Sequence, residues 1–206
     1  MRIGGFVKQS FIDWEGKITS VIFTKGCNFR CGFCHNPSLV LPKLIEQTPD
    51  IEVAAITEHL RKRKQWLDGV VITGGEPTLH NDLSTFIKTI KELGYPVKLD
   101  TNGSNPTLLK KLIADNSVDY VAMDIKTTLK QYEYSKICGC DNPNLVNCVK
   151  ESVEILRESG IDYQLRTTEI PEYHSADTIA ALKKKFSYCN YKLQPFRDGN
   201  TIERMG

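Results

Sequence analysis

Three cysteines, Cys27, Cys31 and Cys34, lie close together with the spacing C-x3-C-x2-C. Thiolates at such spacing suit zinc or an iron–sulfur cluster. Structural zinc normally takes four ligands from paired knuckles, and no second knuckle follows here. A [4Fe–4S] cluster held by three cysteines would leave one iron open to a substrate. We therefore interpret these cysteines as the ligands of a metal cluster and as the catalytic centre. A zinc site with His35 as the fourth ligand is the weaker alternative.

Polar residues also follow each of the predicted strands that come later in the chain. They lie in Gly74–Pro77, Asp100–Gly103 and Asp124–Lys126, and at Arg166 and Gln194. The carboxyl ends of parallel strands meet at one edge of a sheet, where ligand sites of such folds lie. We expect these groups to form one site with the cysteines, although each alone could be a solvated loop.

The segment Gly74-Gly75-Glu76 has two interpretations. Gly-Gly pairs are common in turns before helices. Alternatively, the two glycines let backbone groups approach a ligand closely, and the Glu76 carboxylate accepts hydrogen bonds from an ammonium group. We favour the second interpretation.

Short β-branched runs alternate with longer helical patterns, which predicts an α/β fold with a parallel sheet. Six such units fall short of a closed eight-stranded barrel, so a partial barrel and a doubly wound sheet both remain open. The predicted strands are Ile18–Thr24, Gly69–Thr73, Val97–Asp100, Tyr120–Asp124, Tyr163–Thr168 and Tyr191–Pro195. The predicted helices are Ile51–Leu67, Asp82–Leu93 capped by Asn81, one opening at Asn105-Pro106, Leu145–Ser159, and one capped by Ser175.

Composition places the chain among globular proteins. Its 206 residues, with 40% hydrophobic and 25% charged residues, fit one domain over residues 1–206. The net charge of +2 is too small to argue for nucleic acid or an anionic membrane as partner. With no long apolar segment and an odd number of cysteines, seven, we expect a cytoplasmic protein with reduced thiols.

The cysteine segment resembles the signature of the radical S-adenosylmethionine (SAM) enzymes, including the aromatic Phe33 before the last cysteine. The stretches Ser10–Ile18, Phe23–Pro37 and Leu67–Leu79 resemble the activating proteins of anaerobic ribonucleotide reductases, a family that generates glycyl radicals. The similarity covers most of the chain.

This resemblance implies a partial (β/α)6 barrel that binds a [4Fe–4S] cluster through Cys27, Cys31 and Cys34. It implies an anaerobic oxidoreductase that reductively cleaves SAM to a 5′-deoxyadenosyl radical, which makes a glycyl radical on a partner enzyme. The implied partner is an anaerobic ribonucleoside-triphosphate reductase, and the implied electron donor is a flavodoxin or ferredoxin.

The resemblance also suggests roles for single residues. Gly74–Glu76 would hold the amino group of SAM, and Asp124 and Lys126 would contact SAM. A monovalent cation is expected at Asp100, Thr101 and Asp124, whereas His174 is interpreted as a surface loop residue. The full set of expected cofactor-binding residues is Phe33, Cys34, His35, Gly74, Gly75, Glu76, Asp100, Asn102, Asp124, Lys126, Arg166 and Gln194.

Two alternative functions stay open. One is another radical SAM enzyme, either a pyruvate formate-lyase activator or an enzyme like 7-carboxy-7-deazaguanine synthase. The other is a non-enzymatic cysteine-bound metal module for binding or electron transfer.

Several remaining features are interpreted as structural. Free buried thiols are the favoured interpretation of the other cysteines, Cys138, Cys140, Cys148 and Cys189. The basic runs Arg61–Lys64 and Lys183–Lys185 are interpreted as solvated helix faces, with docking of an acidic electron donor as the alternative. Because few residues follow the last strand, we expect the substrate protein to seal the site.

Overall fold

The computed structural model describes residues 1–204 and contains one seven-stranded sheet. The strands are β1 (Ile3–Ser10), β2 (Thr19–Thr24), β3 (Gly69–Gly74), β4 (Val97–Thr101), β5 (Tyr120–Asp124), β6 (Asp162–Glu169) and β7 (Tyr191–Pro195). They lie side by side in chain order, with β1 antiparallel to β2 and every other neighbouring pair parallel. Since β1 and β7 do not pair, the sheet is open, and its six parallel strands form the predicted partial barrel.

Eight α-helices fill most of the connections within residues 1–204. They are α1 (Pro37–Val40), α2 (Pro42–Gln47), α3 (Val53–Lys62), α4 (Leu83–Glu92), α5 (Pro106–Ala114), α6 (Gln131–Cys138), α7 (Leu145–Ser159) and α8 (Ala176–Lys185). Short 3₁₀ turns occur at Pro77–Leu79 and Ile202–Arg204. No helix in this described part is long and apolar enough to cross a membrane.

Local sequence signals account for several helix ends. The Asn105 side chain accepts a hydrogen bond from the backbone N–H of Leu108 at 3.2 Å, and Ser175 caps α8 in the same way. Gly160 ends α7 in the left-handed conformation, with φ at 72°. The predicted Asn81 cap is wrong: Asp82 takes that position at the start of α4, and it makes no side-chain cap hydrogen bond.

The sequence prediction missed β1, α6 and the short helices α1 and α2, and it made α3 too long. Strand β1 contains Gly4 and Gly5 and lies at the sheet edge, so it carries little of the apolar alternation that identifies strands. Helix α6 buries only Tyr134, Ile137 and Cys138, which is too few for a clear 3.6-residue pattern.

The two faces of the sheet differ in chemistry. One face packs against the helices in the main hydrophobic core, to which Ile72, Leu99 and Val121 belong. The buried apolar side chains of the other face form a separate small cluster of Trp14, Val21 and Val71. The remaining side chains on that face near the carboxyl ends of the strands are largely charged, and this end of the sheet holds the candidate site.

Candidate functional site

Backbone hydrogen bonds hold the cysteine loop against its neighbours. The N–H of Lys25 donates to the Arg2 carbonyl at 2.9 Å, which ties the loop to the residue just before β1. The N–H of Gly26 donates to the Leu39 carbonyl at 2.7 Å, and the Gly26 carbonyl accepts from the N–H of Glu76 at 2.8 Å. The end of β2 and the loop after β3 are thereby locked together before the first cysteine.

Two glycines make this close approach possible. Gly74 has a φ of 119°, and a Cβ there would lie 2.3 Å from the Thr24 nitrogen. A Cβ on Gly75 would lie 2.0 Å from the Gly26 carbonyl oxygen. Both clashes are with backbone, so only glycine fits. The requirement comes from the chain's own cysteine loop, a reason the sequence prediction did not foresee.

The three predicted metal ligands line one pocket of about 220 Å³. The Sγ of Cys27 accepts a hydrogen bond from the N–H of Phe29 at 3.3 Å, and that of Cys34 from the N–H of Asn36 at 3.4 Å. Hydrogen bonds to cysteine sulfur stabilise its anionic form and tune the reduction potential of iron–sulfur clusters. The loop therefore presents sulfur atoms already supported by backbone donors.

The thiols differ in their readiness to ionise. Burial raises the pKa of Cys27 to about 12 and also raises that of Cys34. A hydrogen bond from the Cys138 thiol, with help from the positive charge of Lys126, lowers the pKa of Cys31. Metal binding must displace protons from Cys27 and Cys34, so metal affinity will rise with pH.

The donor set is that of a thiolate-bound metal centre. Three cysteines of one loop line the pocket, and thiolates suit an iron–sulfur cluster or zinc. A cubane cluster takes each thiolate on a separate iron. His35 Nε2 lies 2.7 Å from the Arg197 carbonyl oxygen. A histidine that binds metal through Nδ1 commonly donates its Nε2–H to a carbonyl in this way, so the zinc alternative keeps its fourth ligand.

A chain of ion pairs crosses the charged face of the sheet beside the cysteines. Lys126 Nζ lies 3.0 Å from Asp124, whose other oxygen lies 3.0 Å from Arg166 Nε. Arg166 Nη1 lies 3.3 Å from Asp100, which in turn meets Lys98 Nζ at 3.0 Å. Burial alone would raise the pKa of Asp124, but the charges of Arg166 and Lys126 outweigh it and lower this pKa to about 2.

The backbone of Lys126 is fixed by two buried side chains. Its N–H donates to the Tyr134 hydroxyl at 3.1 Å, and its carbonyl oxygen lies 2.8 Å from His174 Nε2. Because His174 Nδ1 accepts from the N–H of Ile170, its Nε2 carries the proton. The prediction of His174 as a surface residue is wrong: it is 6% exposed and positions Lys126.

Glu76 acts as a buried brace between two loops. Its Oε1 accepts from the Thr78 N–H at 3.1 Å and from the hydroxyls of Thr78 and Thr101 at 2.6 and 2.7 Å. Its Oε2 accepts from the Asn102 N–H at 2.7 Å. A carboxylate offers about four acceptor sites. Most of these sites are filled from within the chain, so any ligand contact of Glu76 is additional to a structural role.

The structure brings the predicted site residues together, with one exception. All expected cofactor-binding residues line the 220 Å³ pocket except Gln194, which lines a neighbouring cavity of about 340 Å³. Asp100 and Arg166 line both cavities. The pocket also includes residues that sequence reasoning missed, namely Phe29, Asn36, Val40, Thr73 and Thr168. Thr168 could have been identified from its place two residues after Arg166 on a strand.

The end of the described chain lies across the cysteine loop. The N–H of Glu203 donates to the Gly32 carbonyl at 3.0 Å, and the Glu203 carboxylate occupies the space where a Gly32 Cβ would be. The ring of Phe196 packs on His35 with centroids 5.2 Å apart. This segment covers part of the loop, which the sequence analysis had expected to be covered by the substrate protein.

Comparisons with known proteins agree on one family. Residues 21–182 match the model of the Radical SAM superfamily. A candidate glycyl-radical enzyme activating enzyme of Methanocaldococcus jannaschii is 33% identical over 196 residues, covering 94% of this chain and 79% of the relative. The pyruvate formate-lyase-activating enzyme of Streptococcus mutans is 31% identical over 160 residues, which cover 72% of this chain and 60% of that enzyme.

A solved structure supports the fold. The crystal structure of Streptococcus suis SuiB bound to S-adenosylmethionine superposes with a TM-score of 0.63 at 17% identity. The match covers 87% of this chain and 43% of SuiB.

Replacing Cys27, Cys31 or Cys34 by Ala should remove cluster iron, because each thiolate is expected to hold one iron of the cluster. Replacing Cys138, Cys140, Cys148 or Cys189 by Ala should leave iron content unchanged in soluble protein. Iron and sulfide analysis after anaerobic reconstitution measures both. Iron loss in a folded Cys138→Ala variant would make that thiol a ligand rather than a hydrogen-bond donor to Cys31.

Glu76→Gln should destabilise the protein. The Glu76 carboxylate accepts hydrogen bonds from Thr78, Thr101 and the Asn102 N–H, and the NH₂ group of a glutamine would face some of these donors with another donor. A hydrogen bond to a charged group contributes about 1.5–3 kcal/mol, so the midpoint of thermal unfolding should fall by several degrees. Glu151→Gln, at an exposed position on α7, is the control and should change nothing. Unaltered stability of Glu76→Gln would contradict the structural role.

Proposed function

The chain belongs to the radical SAM superfamily, among its glycyl-radical enzyme activating enzymes, and we propose that its substrate is an anaerobic ribonucleoside-triphosphate reductase. The 33% identity to an activating enzyme along 94% of the chain carries the activating function and names no partner. The stretch Ser10–Ile18, which resembles the reductase activators, supports the choice of partner. We further propose that residues 1–206 form one domain and act in the cytoplasm, where the seven free thiols would stay reduced.

The cofactors are a [4Fe–4S] cluster and SAM, as in the rest of the superfamily. Cys27, Cys31 and Cys34 would hold the cluster, and the pocket residues around them would hold SAM. Together, the reduced cluster and SAM supply a carbon radical able to remove hydrogen from a carbon atom. Glycine suits this reaction, since its Cα radical is delocalised into both flanking amides and no side chain obstructs it.

The protein's own residues position the reactants and limit water. Phe29 and Phe33, 2% and 8% exposed, line the pocket and put apolar surface beside the cysteines. Lys126 Nζ lies 5.9 Å above the Phe33 ring, held by its ion pair with Asp124. Trp14, in the loop before β2, packs on Val21 and adds apolar surface on the same face of the sheet. Restricted water protects a reactive radical from side reactions.

A second cavity of about 340 Å³ adjoins the first and shares Asp100 and Arg166 with it. The loop that precedes β2 lines this cavity through Ile12 and Trp14, so it lies at the amino ends of the parallel strands, opposite the cysteine loop. Phe11 and Ile12 of that loop are 66% and 85% exposed, and adjacent exposed apolar side chains are typical of protein contacts. A glycine loop of the partner would enter the cysteine pocket through the open side of the sheet, which no strand pair closes.

The electron donor we propose is a flavodoxin or ferredoxin. Neither basic run suits its docking, because Arg61–Lys64 lies at the end of α3 and Lys183–Lys185 at the end of α8. Each precedes a parallel strand and therefore lies at the sheet edge opposite the cysteine loop. The donor would instead approach the loop itself, where Arg30 is exposed.

Anaerobic incubation with reductant, SAM and the candidate reductase should give a glycyl radical signal by electron paramagnetic resonance. The signal should be a doublet, from coupling to the one remaining Cα hydrogen, and should collapse when that hydrogen is deuterium. Cys31→Ala should give no signal, whereas Cys148→Ala should match the wild type.

Formation of the same radical on pyruvate formate-lyase but not on the reductase would keep the activating function and change its partner. Rapid turnover with a small metabolite and no protein radical would favour the enzyme class that includes 7-carboxy-7-deazaguanine synthase.

A further inference from the structure

The carboxyl end of α6 packs against the cysteine loop. The N–H of Arg30 donates to the carbonyl of Cys138, the last residue of this helix, at 2.6 Å. Gly139 follows in the left-handed conformation, with φ at 54°, and a Cβ there would lie 2.9 Å from the Arg30 carbonyl oxygen. The end of the helix is therefore fixed against the residue that precedes Cys31.

Two buried side chains of α6 hold this helix beside the site. Tyr134 is fully buried, and its hydroxyl accepts a hydrogen bond from the N–H of Lys126 at 3.1 Å. Cys138, one turn further along the helix, is also fully buried, and it belongs to the same hydrophobic core as Cys31. Because the helix is held at both points, the Cys138 sulfur has little freedom to move away from Cys31.

The contact between these two cysteines is a hydrogen bond, in which the Cys138 thiol donates to Cys31. A thiolate that binds iron carries no proton, so only Cys138 can be the donor once a cluster is bound. A thiol buried in apolar surroundings keeps its proton. The bond therefore has the same direction with and without the cluster.

The donor to Cys31 differs from the donors to the other two expected ligands. Cys27 accepts from the backbone N–H of Phe29, and Cys34 accepts from the backbone N–H of Asn36. The Cys138 donor is a side chain on a helix that lies far from the cysteine loop in sequence. A substitution can therefore remove this donor and leave the backbone of the loop as it is.

A donor to a ligand sulfur changes how easily an iron–sulfur cluster is reduced. Reduction adds negative charge that the ligand sulfurs share, and a hydrogen bond stabilises a sulfur more as its negative charge grows. In a buried site of low dielectric constant this stabilisation is stronger than in water. The Cys138 thiol should therefore favour the reduced cluster over the oxidised cluster.

We propose that the Cys138 thiol binds no iron and raises the reduction potential of the cluster through its hydrogen bond to Cys31. Cys138 is then a positioning residue that acts through Cys31, and it makes the cluster easier for an electron donor to reduce. The proposal rests on a [4Fe–4S] cluster at the three loop cysteines and is independent of which protein receives the radical.

The direct test is an anaerobic redox titration of the reconstituted protein without SAM, followed by the electron paramagnetic resonance signal of the reduced cluster. Cys138→Val removes the donor and nearly keeps the side-chain volume. At the wild-type midpoint, its ratio of reduced to oxidised cluster should fall at least threefold. This fall lowers the midpoint by about 28 mV, since a tenfold change is about 59 mV for one electron.

Matched variants separate the hydrogen bond from packing. Cys138→Ser keeps a donor and should lie closer to the wild type than Cys138→Val does. Cys138→Ala, which is smaller, should shift in the same direction as Cys138→Val. Cys148→Ala, on α7, is the control and should keep the wild-type potential. An unchanged potential in both Cys138→Val and Cys138→Ala would overturn the proposal.

A second readout detects the proton itself. After reconstitution in D₂O, pulsed electron–nuclear double resonance of the reduced cluster should show an exchangeable deuteron in the wild type that is missing in Cys138→Val. The backbone donors to Cys27 and Cys34 are common to both proteins and cancel in the difference. Identical spectra would contradict the proposal.

Iron analysis of the same samples tests whether Cys138 is a ligand. Folded Cys138→Val should contain as much iron and sulfide as the wild type, and loss of iron from it would overturn the proposal. Failure to activate any reductase would count against the proposed function alone, because none of these measurements contains a reductase.

Discussion

Asp124 lies between two cations, and much of the site depends on this arrangement. Its carboxylate holds Lys126 beside the cysteines and Arg166 beside Asp100, at 3.0 Å each. A partly buried carboxylate is stable only while it is paired, and removing one partner leaves an uncompensated charge. Because the three groups belong to β5, β6 and the loop after β5, their pairing also fixes how the strand ends converge. The Lys126 charge in turn lowers the pKa of Cys31.

A second constraint is the close contact between the loops after β2 and β3. Gly74 and Gly75 allow the backbones to touch, and the Glu76 carboxylate then joins this pair of loops to the loop after β4. Three successive strand ends are thereby connected without a bound ligand. Such preorganisation lowers the conformational cost of binding a cofactor. The cysteine loop can therefore be nearly in place before iron binds.

Much of this arrangement is readable from the sequence, since strand ends in a parallel sheet must converge. The cysteines and the polar residues from Gly74 to Arg166 were predicted to meet, and they line one pocket. The ion-pair partners depend on the strand register, which the sequence does not show. Arg166 on β6 pairs with Asp124 on the neighbouring β5 and reaches across that strand to Asp100 on β4, because the three side chains share one face of the sheet. The buried position of His174 depends on a loop that folds back on Lys126, which no local pattern encodes.

The hydrogen atom that leaves the substrate can be followed directly. A candidate reductase labelled with deuterium at glycine Cα is incubated anaerobically with this protein, reductant and SAM, and 5′-deoxyadenosine is examined by mass spectrometry. The proposed function predicts one deuterium in each 5′-deoxyadenosine that accompanies formation of a glycyl radical. Unlabelled 5′-deoxyadenosine in the presence of the labelled reductase, together with deuterium transfer from a labelled small metabolite, would contradict it.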